Sequence, residues 1–234
     1  MVGAEALMRW QRDGRLVPPG DFIPLAEETG LIVPLSEWAL REAAKQARSW
    51  QQAFGFADSI AVNLPNRLFE RTDLVEHIHN AVTTYGVPHR AIELEITETA
   101  LISNFDAART ALEDFKRLGI RIAIDDFGTG YSSLAYLRDL PVDILKIDQS
   151  FVREIGLKPA EGHEDAPIIR TIIALAHNLG MVVVAEGVET EAQRVLIGEL
   201  GCDMIQGYLL SRPLPLSDII GWLNERRRRG DHIG

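Results

Sequence analysis

Cysteine is nearly missing from this chain of 234 residues. The single Cys202 has no partner for an intrachain disulfide and no neighbouring cysteine at metal-ligand spacing. That excludes a disulfide-stapled scaffold and a thiolate zinc site, and it leaves a small buried hydrophobe. Long apolar runs are missing too, since none approaches the roughly 18 residues of a membrane span. The N-terminus has neither the basic stretch nor the apolar core of a secretory leader, so a cytoplasmic protein is expected. Positive charge is scarce: 24 Lys and Arg stand against 34 Asp and Glu, for a net charge of -10. Long nucleic acid is bound through clustered Lys and Arg, so this balance argues against such a partner. A small anionic substrate stays open, provided that cations accompany it to an acidic site. The basic run Arg226-Arg227-Arg228-Arg229 falls at the end of the last expected helix, where positive charge suits the helix dipole.

What is present is alternation. Gly3–Trp10 reads as a strand on which Glu5, Leu7 and Arg9 share a face. Asp21 is expected to cap a short helix ended by Gly30, and Ser36 the next helix, with Leu40, Ala43, Ala44 and Ala47 on one face. Strands follow at 59–63, 91–96, 121–125, 143–148, 181–186 and 202–207, separated by helices near 68–85, 105–118, 132–140, 168–179 and 191–200 and closed by one at 216–228. Residues 156–167 read as a loop, which holds His163. Short, nearly all-apolar strands alternating with helices imply a parallel sheet covered by helices. No glycine-rich phosphate loop follows the first strand, which disfavours a doubly wound sheet and favours an α/β, TIM-like (β/α) barrel with its site at the C-terminal strand ends.

Those strand ends carry Glu5 or Arg9, then Asn63, Glu95, Asp125, Lys146, Glu186 and Gln206. The centre of the set is Arg121–Asp125 followed by Asp126-Phe127-Gly128-Thr129-Gly130. Alternation sends adjacent strand residues to opposite faces, so Asp125 and Asp126 converge on one point only if the strand stops between them. Taken alone, such a pair reads first as a solvated turn. Taken with the other carboxylates and amides, it suits hard cations bound through oxygen. His77 and His79 are two apart on a helix and face different ways, so they are not expected to share a metal.

The chain resembles the EAL-domain phosphodiesterases of cyclic diguanylate (c-di-GMP). The likeness runs through Glu5-Ala6-Leu7 with Arg9, Asn63-Leu64, Glu95-Ile96-Thr97-Glu98, Asp125 to Leu134, Lys146-Ile147-Asp148, Ala185 to Thr190, and Gln206-Gly207-Tyr208. The resemblance implies hydrolysis of one phosphodiester of a bacterial second messenger, giving linear pGpG with the help of two divalent cations, Mg2+ or Mn2+. By the motifs, Glu5, Asn63, Glu95 and Asp125 hold the first ion, and Asp125, Asp126 and Glu186 the second. Lys146 orients water or stabilises the transition state, Arg9 grips a phosphate, and Gln206 joins the water network. Glu98 and Glu189 brace the loop after Asp126, where Gly128 and Gly130 permit a bend. A homodimer and a regulatory domain outside this chain are implied by the same likeness.

Two departures stand out. Pro65 occupies a position where the family more often has serine, and the family's N-terminal antiparallel strand precedes the point where this chain begins. Residues 1–234 thus read as a single EAL domain shortened at its N-terminus, with seven strand candidates, one fewer than a closed barrel has. Two other functions remain open: a non-catalytic c-di-GMP receptor, and a barrel metallohydrolase acting on another phosphate ester.

Overall fold

A computed structural model describes residues 3–54, 59–103, 105–128, 134–153, 155 and 166–229. They pack as two compact units, and strand β6 runs through both.

The first unit takes Gly3–Ile124 and residues 134–142. It holds β1 (Gly3–Ala6), β2 (Trp10–Arg12), β3 (Arg15–Val17), α1 (Pro19–Thr29), α2 (Ile32–Phe54), β4 (Ser59–Asn63), α3 (Leu74–Thr84), β5 (Ile92–Thr97), α4 (Glu98–Ser103), α5 (Phe105–Leu118), the first residues of β6 (Arg121–Phe127), and α6 (Leu134–Asp139). Its main strands lie in the order β1-β4-β5-β6, and β1-β4 and β4-β5 are parallel. Ile92 through Ile96 are buried without a break, as expected of a strand covered on both faces. The covering helices match that core. Leu40, Ala43, Ala44 and Ala47 of α2 are all buried on one stripe, and Ala108, Leu112 and Phe115 of α5 are fully enclosed. Gly30 and Gly119 end their helices with φ of 77° and 85°, a conformation that costs glycine nothing.

Three local expectations are corrected here. The first strand stops at Ala6, because Asp13 and Gly14 (φ 50° and 76°) fold the following residues into the antiparallel hairpin β2-β3, with Arg12 opposite Arg15. An Asp-Gly pair between short strands is the signal for such a turn. Ser36 caps nothing: α2 begins at Ile32, and the buried Ser36 hydroxyl donates back to the Ile32 carbonyl at 2.8 Å. Asp21 lies in the first turn of α1 rather than before it, since Pro18 precedes the helix and Pro19 opens it.

The second unit takes residues 125–128 and those from Asp143 on. It holds the end of β6, then β7 (Ile144–Ile147), α7 (Gln149–Arg153), α8 (Ala166–Asn178), β8 (Val182–Ala185), α9 (Glu191–Glu199), β9 (Met204–Ile205) and α10 (Leu216–Arg229). The order is β6-β7-β8-β9, with β7-β8 and β8-β9 parallel and Lys146 opposite Val184. Short α7 was not expected from the sequence. Most of the loop expected at 156–167, with His163, lies outside the described residues. Among the described residues no helix is long and apolar enough to cross a membrane.

β9 is only two residues long, and the backbone beyond it is held by close approach. The Val188 N–H donates to the Gln206 carbonyl and the Leu209 N–H to the Val188 carbonyl, each at 3.0 Å. A β-carbon on Gly207 (φ 155°) would stand 2.2 Å from the Val188 oxygen and 2.4 Å from its nitrogen. Backbone cannot move aside as a side chain can. Gly207→Ala is expected to destabilise the protein by about 3 kcal/mol, read from the midpoint of urea unfolding.

Candidate metal centre

In the second unit the acidic pair lies near the end of β6. The strand does not stop between Asp125 and Asp126, contrary to the sequence expectation, because its pairing continues to Phe127. Convergence is achieved by the backbone instead: Asp126 has φ of 54°, a left-handed conformation uncommon outside glycine and tolerated best by Asp and Asn. One such residue cancels the alternation that would send its carboxylate to the opposite face. Carboxylate oxygens of Asp125, Asp126 and Glu186 then lie within 4.8 Å of one another.

Lys146 reaches this group from β7. It is 2 % exposed, and its ammonium lies 3.2 Å from Asp125 Oδ1 and 2.6 Å from Glu186 Oε1. Glu186 follows β8 directly, and its N–H donates to the Ile147 carbonyl at 3.1 Å, which sets its height beside Lys146. One ammonium faces three carboxylates. Burial, then the neighbouring charges of Asp125 and Asp148, push the Asp126 carboxyl up to about 6, and Lys146 only partly offsets them.

Asp148 is a member of this group to which the sequence reading assigned no role. Burial works against its charge, yet hydrogen bonds from the Ser150 hydroxyl and backbone, and from the Asp126 carboxyl, hold it below the usual carboxylate range. Its signal was in plain view, two positions after Lys146 in Lys146-Ile147-Asp148. Gln206 follows β9; its N–H donates to the Ala185 carbonyl at 2.8 Å, one residue before Glu186. Glu189 is exposed, and it is the Glu189 backbone N–H that is tied, to Gln193 Oε1 at 2.8 Å.

The first unit carries its own cluster. Asn63, the last residue of β4, stands opposite Glu95 of β5 and donates from Nδ2 to Glu5 Oε1 at 3.1 Å. Glu95 is 2 % exposed, and the Leu64 N–H donates to its carbonyl at 2.8 Å. Glu98 is buried at the start of α4. Arg9 is not on a strand face shared with Glu5: β1 has ended, and the exposed guanidinium donates to the Met8 carbonyl. The loop residues Thr129, Gly130 and Tyr131 to Ser133 lie outside the described residues, whereas Gly128 has φ of 100°.

Other candidates fall away. His77 lies beside Glu37, Arg71 and Asp73, while His79 stacks on His89, so the two do face different ways. Cys202 donates to the Val183 and Met204 carbonyls, and burial pushes its thiol up to about 11, which leaves it inert.

The donor chemistry around Asp125 suits a hard divalent cation. All the donors are carboxylate oxygens, they converge within reach of one ion, and the Asp126 charge is disfavoured unless a further cation offsets it.

The chain matches the EAL domain family over residues 1–213 and belongs to that family. It is 46% identical over 216 residues to the signaling protein YkoW of Bacillus subtilis, covering 92% of this chain and 26% of that protein. It is 45% identical over 222 residues to the bifunctional diguanylate cyclase/cyclic di-GMP phosphodiesterase MucR of Pseudomonas aeruginosa, covering 94% of this chain and 32% of that protein. The solved structure of the PaMucR phosphodiesterase in complex with c-di-GMP superimposes with a TM-score of 0.88 at 44% identity, covering 94% of this chain and 87% of that one. The fold is therefore the TIM-like (β/α) barrel fold of EAL domains. The chain spans roughly a quarter to a third of the length of these two full-length relatives.

The raised Asp126 value has a definite sign. Between the ordinary value of 3.8 and about 6, the folded chain holds a proton that the unfolded chain has released. This contribution to stability is fully present below about pH 4 and is lost as pH rises through about 6. Metal-free protein should lose thermal stability over that interval. Asp126→Asn should remove the loss, raising Tm above wild type at about pH 7 and not at about pH 4, in melts recorded across the range.

Proposed function

We propose that this domain hydrolyses c-di-GMP to linear pGpG with two divalent cations, Mg2+ or Mn2+. The observation that carries the reading is the buried Lys146 held between Asp125 and Glu186, with Asp126 turned toward them by a left-handed backbone. It rests also on the relatives named as c-di-GMP phosphodiesterases and on the bound c-di-GMP of the matched structure.

Asp125, Asp126 and Glu186 are the proposed ligands of one ion. Glu5, Asn63 and Glu95 are assigned to the other on the family resemblance. When bound, such cations offset charge on phosphoryl oxygens and acidify the attacking water. The chain's own residues do the rest. Lys146 fixes Asp125 and Glu186 in one arrangement and sets a positive charge among them, where it opposes the negative charge that develops on the phosphoryl group. Asp148 accepts a hydrogen bond from the protonated Asp126 carboxyl in the metal-free protein, a bond that would be given up when Asp126 ionises to bind the ion. Arg9 would grip a substrate phosphate with two parallel donors, and its exposure leaves it accessible to a ligand. Gln206 would bind water or substrate from the end of β9, and Glu98 and Glu189 are assigned, on the family resemblance, to bracing the loop after Asp126. A homodimer, a regulatory domain elsewhere in a longer protein and a cytoplasmic location belong to the same proposal, the first two on resemblance alone.

The test is incubation of the purified protein with c-di-GMP and Mg2+ or Mn2+, with detection of the linear dinucleotide. Turnover is expected. Glu186→Gln and Lys146→Met should each lower kcat by about 100-fold or more while c-di-GMP binding persists. Arg9→Ala should act mainly on KM. Binding without turnover in the wild type would instead favour a receptor, and the absence of both would overturn any c-di-GMP role.

A further inference from the structure

Helix α7 is five residues long, yet it touches both elements that carry the acidic cluster of the second unit. On one side the Phe151 ring lies against Gly128, two residues after Asp126. A β-carbon on that glycine would stand 2.8 Å from the ring. On the other side Gln149 lies against Gly187, the residue after Glu186, where an added β-carbon would meet its Cβ at 2.5 Å. At its start, Asp148 accepts from Ser150 and from the Asp126 carboxyl. Its other end is held by one amide. Gln193, in the first turn of α9, donates from Nε2 to the carbonyl of the fully buried Val152 at 3.0 Å.

The same amide works in the opposite direction. Gln193 Oε1 accepts from the backbone N–H of Glu189 at 2.8 Å and of Thr190 at 3.0 Å, and the Gln193 N–H donates to the Thr190 hydroxyl at 3.2 Å, completing a capping box. The segment that leaves Glu186 is thus fastened through Gln193 to the helix that wedges between Gly128 and Gly187. Gln193 is 6 % exposed, so water does not substitute for either end.

We infer that Gln193 is a positioning residue for the metal cluster: its Nε2 bond to Val152 locks α7 against the chain on either side and so holds Asp126 and Glu186 in ligand geometry. The inference rests on the metal-binding reading above. Chemistry separates this role from capping. A glutamate at the same place keeps the two accepted bonds, since a carboxylate serves the capping box as well as an amide. It cannot donate to Val152, and it sets an oxygen against that carbonyl.

The experiment measures Mn2+ binding by calorimetry together with the Tm of the metal-free protein. Gln193→Glu should weaken Mn2+ binding by about tenfold, the scale typical of outer partners of metal ligands. Its phosphodiesterase kcat should fall and then recover as Mn2+ is raised, with KM little changed. Thr190→Val, which removes the cap and keeps the tie, should lower Tm and leave Mn2+ affinity at the wild-type value. Phe151→Leu, which trims the wedge at Gly128 and leaves Gln193 intact, should also weaken Mn2+ binding, and it decides the matter should Gln193→Glu fail to fold. Wild-type affinity in a folded Gln193→Glu, wild-type affinity in Phe151→Leu should Gln193→Glu not fold, or an equal loss in Thr190→Val, would overturn the inference. A wild-type protein that binds no Mn2+ would overturn the metal reading as well.

Discussion

A lysine ammonium enclosed between two carboxylates organises the second unit. Asp125 lies in β6, Lys146 in the next strand β7, and Glu186 directly after the strand beyond that, β8. Ions taken out of water cost several kcal/mol each, which close and well-aligned partners must offset. Each strand therefore has to present its charged residue at one height and on one face. A slip of one residue in β7 would carry Lys146 to the opposite side and leave two half-buried carboxylates uncompensated. Apolar neighbours enforce the register: Ile144, Leu145 and Ile147 are buried on both faces of β7, and Val183 and Ala185 are buried on one face of β8.

A second constraint is the excess of negative charge that remains. Lys146 balances part of the cluster, and the proton that Asp126 retains up to about pH 6 balances another part. A chain of net charge -10 that handles an anionic dinucleotide, as proposed, has to bring positive charge to the point of contact by some route. Cations bound by oxygen ligands are the route that these side chains suit, and the left-handed backbone at Asp126 is the local cost of aiming a second carboxylate at them.

Much of this was legible residue by residue. Unbroken burial in β5, the apolar stripe of α2 and the glycines after α1 and α5 follow from period and turn chemistry, which act over a few residues. The polar residues at strand ends were also visible as a set. Arg9, Ser36 and Asp21 were misplaced for one reason: each depends on where an element begins or ends, and a short competing signal decided it. Asp13-Gly14 ended the first strand early, and Pro19 started a helix before Asp21. Asp148 was overlooked because its part comes from a hydrogen bond to Asp126, which is distant in sequence.

The sequence by itself determined the alternation of strands and helices, the family and the identity of the acidic donors, because these reside in local pattern and in residue type. Only the tertiary structure decided that Asp126 turns toward Asp125 and Glu186 through its own backbone, that Lys146 lies between Asp125 and Glu186, and that α7 wedges against Gly128 and Gly187. Those outcomes arise from strands and loops pressed together at van der Waals distance. There, the space left by one segment selects the conformation of another, and no short stretch of chain carries that information alone.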